Sequence, residues 1–365
     1  MGAWLKELGE PRFRVSQIYQ WLWAKGGKDF VQMTNLSLKL RQQLAQNFII
    51  RWPKLAKVQV SQDGTRKFVL VLDDEKSIES VLIPERDHYT LCLSSQVGCV
   101  MSCRFCHTGQ MGFERNLEVY EILAQVVLAR EYVKQENLAL PLRNIVFMGM
   151  GEPLLNWSNL EKSLHLLRND KYFNFSRRRL TVSTVGIKDK LKKFGQSRLG
   201  MLAFSLHAPN QTLRKQLMPK AANWELKEII AALRNYPLEK RERITIEYVL
   251  LDRVNDSREC ALQLAKLLSG LRCKVNLISY NPWPGSLFAR PKKERILAFE
   301  QVLWSKGITA ILRKSKGDDI LAACGQLRTA FAPKSAFKDA SAKILVGENR
   351  QSLKNKNQIT SLGCE

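Results

Sequence analysis

The chain has 365 residues, 45% of them hydrophobic and 25% charged, which suits a globular protein with one large domain and a smaller attached one. No run of 18 or more apolar residues occurs and Met1 opens no signal-peptide pattern, so neither a helical membrane protein nor a secreted one is expected, and the expected location is cytoplasmic. A net charge of +24 implies a polyanionic partner, above all the phosphate backbone of a nucleic acid.

Residues 1–50 read as a basic helical, nucleic-acid-contacting domain. Arg14 to Lys25 places Val15, Ile18, Tyr19, Leu22 and Trp23 at helical spacing, and Leu36 to Leu44 carries a second periodic run with Asn35 as its cap. Eight Lys or Arg through Arg51 face three acids, with aromatic residues interleaved, a composition for phosphates and unpaired bases. A solvated face that only supports the main domain is the alternative.

Residues 51–88 change to a period of two. Lys57–Val60, Lys67–Leu72 and Ile78–Ile83 read as strands, and Asp63-Gly64 and Asp73-Asp74-Glu75-Lys76 supply the turns of a β-meander linker region. From residue 89 to 331 strands and helices alternate. Strands are expected at Thr90–Ser94, Ile145–Met148, Leu180–Ser183, Leu202–Leu206, Ile244–Leu250 and Val275–Ser279. Helices are expected at Leu117–Glu136, Leu160–Arg168, Glu225–Asn235, Arg258–Leu268 and Glu294–Lys306. Six such repeats predict an α/β fold, a partial (β/α)6 barrel with its site at the C-terminal ends of the strands. Residues 332–365 are polar and Lys-rich and read as a flexible basic tail, in which Cys364 has no expected role.

The eight cysteines are Cys92, Cys99, Cys103, Cys106, Cys260, Cys273, Cys324 and Cys364, and in an intracellular chain they point to metal or redox chemistry. Cys99, Cys103 and Cys106 form a C-x3-C-x2-C array within Gly98–Gly112. A loop that short can wrap one iron–sulfur cluster on three thiolates and leave the fourth iron open to a small molecule. A structural zinc site would want a second cysteine pair, which is not nearby, and His107 directly after Cys106 is awkwardly spaced as a fourth ligand. The remaining singular motifs fall at strand ends. Gly149-Met150-Gly151-Glu152-Pro153 lets backbone approach a ligand beside a carboxylate, and Ser183-Thr184, His207-Ala208-Pro209 and Asn281-Pro282-Trp283-Pro284 follow later strands.

The cysteine array resembles the signature of the radical S-adenosylmethionine (SAM) enzymes. Together with Cys92–Cys99, Gly149–Asn156, Ser205–Asn210, Asn281–Ser286 and Ala323–Leu327, it resembles the RlmN/Cfr family of RNA adenine methyltransferases from about Trp4 to Phe331.

The resemblance implies one [4Fe-4S] cluster on Cys99, Cys103 and Cys106, and two SAM molecules per turnover. It implies SAM contacts at Gly151, Glu152, Ser183, Ser205, Leu206, His207 and Asn281. Carbon 2 of adenine is too electron-poor to attack SAM directly, so the implied route methylates Cys324 first. A 5′-deoxyadenosyl radical then takes hydrogen from that methyl group, and the carbon radical adds to the base. Glu79, with Glu85 as fallback, would accept the C2 proton. Cys92 would release the product through a transient disulfide with Cys324.

The implied partners are 23S ribosomal RNA, transfer RNA and an electron donor such as flavodoxin or ferredoxin, with Arg177-Arg178-Arg179 among the phosphate contacts. Methylation at C8 and a non-methylating iron–sulfur RNA-binding factor are the alternatives; retention of both Cys92 and Cys324 speaks against the second. His107-Thr108-Gly109-Gln110-Met111 departs from the Ser-Thr-Ala-Gln-Gln more usual in the family at that place.

Overall fold

The computed structural model describes residues 1–328; the expected tail at 332–365, with Cys364, lies outside the described residues. Three helices open the chain, α1 (Gly2–Glu7), α2 (Phe13–Tyr19) and α3 (Leu38–Asn47). Leu5, Ile18, Phe30, Met33, Leu36, Leu40 and Leu44 give them a core of their own. The expected helix over Arg14–Lys25 is α2 running into a single wide turn at Gln20–Ala24. The cap of α3 is Ser37 and not Asn35. Ser37 Oγ accepts from Leu40 N at 3.2 Å, while Asn35 Oδ1 accepts from Trp21 Nε1 at 2.7 Å, so the nearer hydroxyl caps and the amide ties two segments together.

Ten strands form one sheet. The meander strands β1 (Lys54–Val60), β2 (Arg66–Val71) and β3 (Ser77–Pro84) are antiparallel. β3 pairs antiparallel with β4 (Tyr89–Cys92), and parallel pairing then continues through β7 (Leu142–Phe147), β8 (Leu180–Thr184), β9 (Met201–Ser205), β10 (Ile244–Leu250), β11 (Cys273–Ser279) and β12 (Ala310–Arg313). Two short strands, β5 (Gln96–Gly98) and β6 (Phe113–Asn116), pair beside it.

The structure corrects one expectation and extends another. The meander is not a linker, because it is hydrogen-bonded into the main sheet. The barrel also has a seventh parallel strand, β12, whose four residues Ala-Ile-Leu-Arg were too few to carry a period.

Each barrel strand is apolar on the face covered by helices, as Leu180 and Val182 on β8 and Ile244, Ile246 and Tyr248 on β10 show, and carries polar residues such as Ser183 and Glu247 on the face toward the barrel interior. The covering helices are α5 (Val119–Gln135), α6 (Trp157–Arg168), α7 (Lys188–Ser197), α8 (Gln211–Leu217), α9 (Leu226–Arg234), α10 (Arg258–Leu268) and α11 (Lys293–Ser305), with the one-turn α4 (His107–Gln110) in the cysteine loop. The two ends of the ten-stranded sheet meet through side chains. Ser61 Oγ donates to Asp319 Oδ1 at 2.5 Å, Gly317 N to Asp63 Oδ2 at 3.1 Å, and Lys67 Nζ to Leu321 O at 3.2 Å. The meander turn thus holds the loop that follows β12, and that loop carries Cys324. Among the described residues no helix is long and apolar enough to cross a membrane.

Candidate active site

The site lies at the C-terminal ends of the parallel strands. A second apolar cluster, including Met101, Cys103, Phe105, Val249 and Tyr280, packs over those ends and seats the cysteine loop. Gly98, at φ +72°, lets the loop turn: a Cβ there would lie 2.0 Å from Gly112 O, the oxygen to which Cys99 N donates at 2.7 Å.

Cys99, Cys103 and Cys106 line one cavity together with Gly151, Glu152, Ser183, Ser205 and His207. A second cavity holds Cys92 and Asn281, and Cys106, Gly149, Arg313 and Cys324 stand in the wall common to both. The structure therefore brings together most of the residues that the sequence nominated. Leu206 is the exception among the cofactor candidates: it lines neither cavity, its side chain is buried in the main core, and its backbone pairs with Glu247 O and Arg214.

Burial raises the thiols of Cys99 and Cys103, and each is raised further by the neighbouring cysteines of the array. Cys106 is raised mainly by burial, opposed by hydrogen bonds from Gly109 and Thr108. Among the described residues no three His, Cys, Asp or Glu side chains converge where a single metal ion would sit. The three thiols line one cavity, a donor set that suits a polynuclear cluster offering each thiolate its own iron, whereas a structural zinc ion takes four protein ligands.

The Gly149–Pro153 loop is held against the segment after β4. Gly149 N donates to Leu93 O at 3.0 Å, Met150 N to Ser94 Oγ at 2.9 Å and Glu152 N to Gln96 Oε1 at 2.9 Å. Glu152 is fully enclosed, and burial pushes its carboxyl up to about 7, opposed by the N–H of Val185 on Oε2 at 2.9 Å and that of Leu154 on Oε1 at 3.0 Å.

His207, at φ +55°, turns its ring into the cavity, where Nδ1 accepts from Val249 N at 3.0 Å. Burial, and then the nearby Arg214, push its pKa down to about 3, so the ring is neutral. Ser183 Oγ and Ser205 Oγ lie 3.0 Å apart. Asn281 Oδ1 accepts from Ser315 Oγ at 2.7 Å and from Arg290 at 3.0 Å, which commits its oxygen to the loop after β12.

Cys92 ends β4 and Cys324 is exposed on the loop after β12; both are free thiols. Burial pushes the Cys92 thiol up to about 12, with the adjacent Cys324 adding to the shift.

Glu79 stands apart. It lines neither cavity and is only 2% exposed within β3. Its Oε1 is 3.5 Å from Lys67 Nζ, and its Oε2 accepts from Arg328 N at 2.9 Å. Burial pushes this carboxyl up to about 7, opposed by Lys67. Glu85, the fallback, also lies outside both cavities.

Three site residues were not visible in the sequence. Arg214, fully buried, donates to Val185 O at 2.5 Å and to Leu206 O at 3.0 Å, joining the ends of β8 and β9. Glu247 on β10 lines the first cavity, with Oε1 on Asn276 Nδ2 at 3.0 Å and Oε2 buried without a partner. Arg313, at the end of β12, lines both cavities, and its guanidinium interacts electrostatically with Cys324, Glu247, Glu85 and Cys92.

Residues 93–265 match the radical SAM superfamily, and residues 1–50 match the ribosomal RNA large subunit methyltransferase N-terminal domain. The chain is 54% identical over 328 residues to the dual-specificity RNA methyltransferase RlmN of Nitratidesulfovibrio vulgaris (strain DP4), covering 88% of this chain and 90% of that protein. It is 45% identical over 328 residues to the RlmN of Marinobacter nauticus, covering 89% of each. A crystal structure of a radical SAM methyltransferase from Sphaerobacter thermophilus superposes with a TM-score of 0.84 at 42% identity, over 90% of this chain and 96% of that one. These similarities, with the cysteine-lined cavity at the strand ends, show that the chain belongs to the RlmN family of radical SAM RNA methyltransferases.

Proposed function

We propose that this enzyme transfers a methyl group to C2 of an adenosine in 23S ribosomal RNA, and of the adenosine beside the anticodon in some transfer RNAs, with Cys324 as the carrier. One observation carries the reading: Cys324 stands in the wall between the cavity that holds the three-cysteine array and the cavity that holds Cys92. A carrier thiol needs access both to the methyl donor and to the thiol that later discharges it, and this position gives both.

Cys99, Cys103 and Cys106 would hold the [4Fe-4S] cluster, and Gly151, Glu152, Ser183, Ser205, Leu206, His207 and Asn281 would position SAM. When bound, the cluster supplies the electron that cleaves SAM to the radical able to activate the methyl group on Cys324. Glu152, enclosed and already accepting two backbone N–H groups, suits an ammonium-binding role. The neutral ring of His207 offers polar contact to the nucleoside without adding charge.

Cys324 sulfur bears the methyl group and then the link to the base. The base adduct gives up its unpaired electron to the oxidised form of the electron donor, and Glu79 takes the proton from C2. Cys92 sulfur attacks Cys324 sulfur, the bond to the methylated base breaks, and a disulfide between Cys92 and Cys324 results, which two electrons and two protons return to thiols. The cycle calls for a reductant such as flavodoxin or ferredoxin and a reducing cytoplasm. The basic residues of the first 50 and Arg177-Arg178-Arg179 would hold phosphates while the target base turns out into the cavity.

The test is to reconstitute the cluster anaerobically, add SAM, reductant and RNA, and digest the RNA to nucleosides. 2-Methyladenosine is expected. 8-Methyladenosine would move the reaction to the other carbon, and no methylated adenosine with SAM cleavage intact would overturn the reading.

The geometry also sets expectations for two variants. Gly151 has φ +101°, and a Cβ there would lie 2.6 Å from Gln96 Cβ. Gly151→Ala should therefore displace the Glu152 loop and weaken SAM binding about 10-fold or more, as read by equilibrium dialysis. The second variant is at Glu79, whose carboxyl is set near 7. A base must be ionised, so turnover should rise as pH passes upward through about 7 and level off above it. Glu79→Gln should lose that limb and slow turnover about 100-fold. A pH–rate profile whose rising limb survives in Glu79→Gln would assign the proton to another group.

A further inference from the structure

Helix α4 begins directly on Cys106 and meets the Cys324 loop at four points. His107 N donates to Gly325 O at 2.7 Å and Thr108 Oγ1 to Leu327 O at 2.6 Å. His107 Nδ1 lies 3.3 Å from Gln326 O, and Nε2 lies 3.0 Å from an Arg328 guanidinium nitrogen. The imidazole also stacks flat on Trp283, with ring centroids 4.4 Å apart and planes 4° apart. Trp283 Nε1 in turn donates to Phe105 O at 3.3 Å. Only one tautomer serves both ring contacts: a proton on Nδ1 for the carbonyl, and a lone pair on Nε2 for the guanidinium. The side chain of His107 thus joins the cysteine array, the Cys324 loop and the Asn281–Pro284 loop.

We propose that His107 is a positioning residue that latches the Cys324 loop onto the cysteine array and so fixes the methyl carrier relative to the cofactor. The inference rests on the reading of Cys324 as carrier. Radical transfer from a carrier demands close placement, and an error of about 1 Å costs on the order of 100-fold. On that side of the Cys324 loop two of the four contacts, from His107 N and Thr108 Oγ1, do not involve the imidazole, and Glu79 Oε2 holds Arg328 N beyond them. Its other edge is held by Gln326, whose Nε2 donates to Pro282 O and to Asp318 Oδ1, both at 2.8 Å. Loss of the imidazole removes its two ring contacts and the Trp283 stack beside the cysteines and leaves the loop held by the remaining bonds.

Hydrogen exchange on the full-length, cluster-loaded protein under anaerobic conditions tests the latch. In His107→Ala, amides of residues 321–328 should exchange about 10-fold faster, while those of β10 stay as in wild type. Methylated RNA formed per SAM cleaved should fall by a similar factor. His107→Asn, which keeps a donor for Gln326 O, should restore most of the protection, whereas His107→Phe, which keeps only the stacking, should not; this pair serves if the alanine variant does not fold. Unchanged loop exchange in both His107→Ala and His107→Phe overturns the proposal. So does a matching rise in β10, which would mark His107 as filling space alone. Absence of methylated adenosine from the wild type would sink the carrier reading and leave the exchange comparison standing as a separate result.

Discussion

Cys324→Ala should abolish RNA methylation, lowering turnover by about 10^3-fold or more, because on the carrier reading it deletes the one group that forms the covalent intermediate. The residue is exposed on its loop and belongs to neither apolar cluster around the site, so the fold and the cluster should survive the change. The protein should keep the absorbance of the cluster and still cleave SAM when reduced, but the RNA should carry no new methyl group. Nucleoside mass spectrometry beside a SAM-cleavage assay reads both. Residual methylation within about 10-fold of wild type would remove Cys324 from the carrier role.

Cys92→Ala has an effect as large and of a different kind. If Cys92 discharges the carrier, its loss stops the reaction after the base has joined Cys324, and RNA stays covalently attached to protein. A denaturing gel should then show a protein–RNA adduct, and a peptide map should place it on Cys324. Turnover should again fall by about 10^3-fold or more. Cys92 is buried at the end of β4, with a thiol pushed up to about 12 by its surroundings. It is therefore a protonated, unreactive thiol at rest, and its attack requires the loop that carries Cys324 to present both a sulfur target and a route for the proton. A Cys92→Ala enzyme that turns over without adduct would show that another group discharges the carrier.

Most of this site was legible because its residues sit where backbone pattern changes. Cys99, Cys103 and Cys106 are dense in sequence, Gly151, Glu152, His207 and Asn281 each follow a strand, and Ser183 lies near the end of one. The missing pieces share a different character. Arg214 lies in Gln-Thr-Leu-Arg-Lys-Gln-Leu, where an arginine on a short helix reads as a surface residue, and only the folded chain shows it buried beneath the β8 and β9 ends. Glu247 interrupts Ile-Thr-Ile-Glu-Tyr-Val-Leu at a position that period alone assigns to one face, without saying that the face is a cavity. Arg313 closes a four-residue strand too short to be seen.

Glu79 is the residue on which sequence and structure agree least. The resemblance names it as the base, yet it faces Lys67 and Arg328 outside both cavities. Its bond to Arg328 N ties it to the end of the Cys324 loop, so movement of that loop would alter its surroundings.

The carrier route makes a claim about hydrogen atoms that direct methyl transfer does not. With SAM bearing a fully deuterated methyl group, the carrier must lose one deuterium before its carbon joins adenine, and a proton must replace it when Cys92 releases the product. The recovered 2-methyladenosine should therefore contain two of the three deuterium atoms. Retention of all three would mean that the methyl group moved intact, and would contradict a carrier role for Cys324.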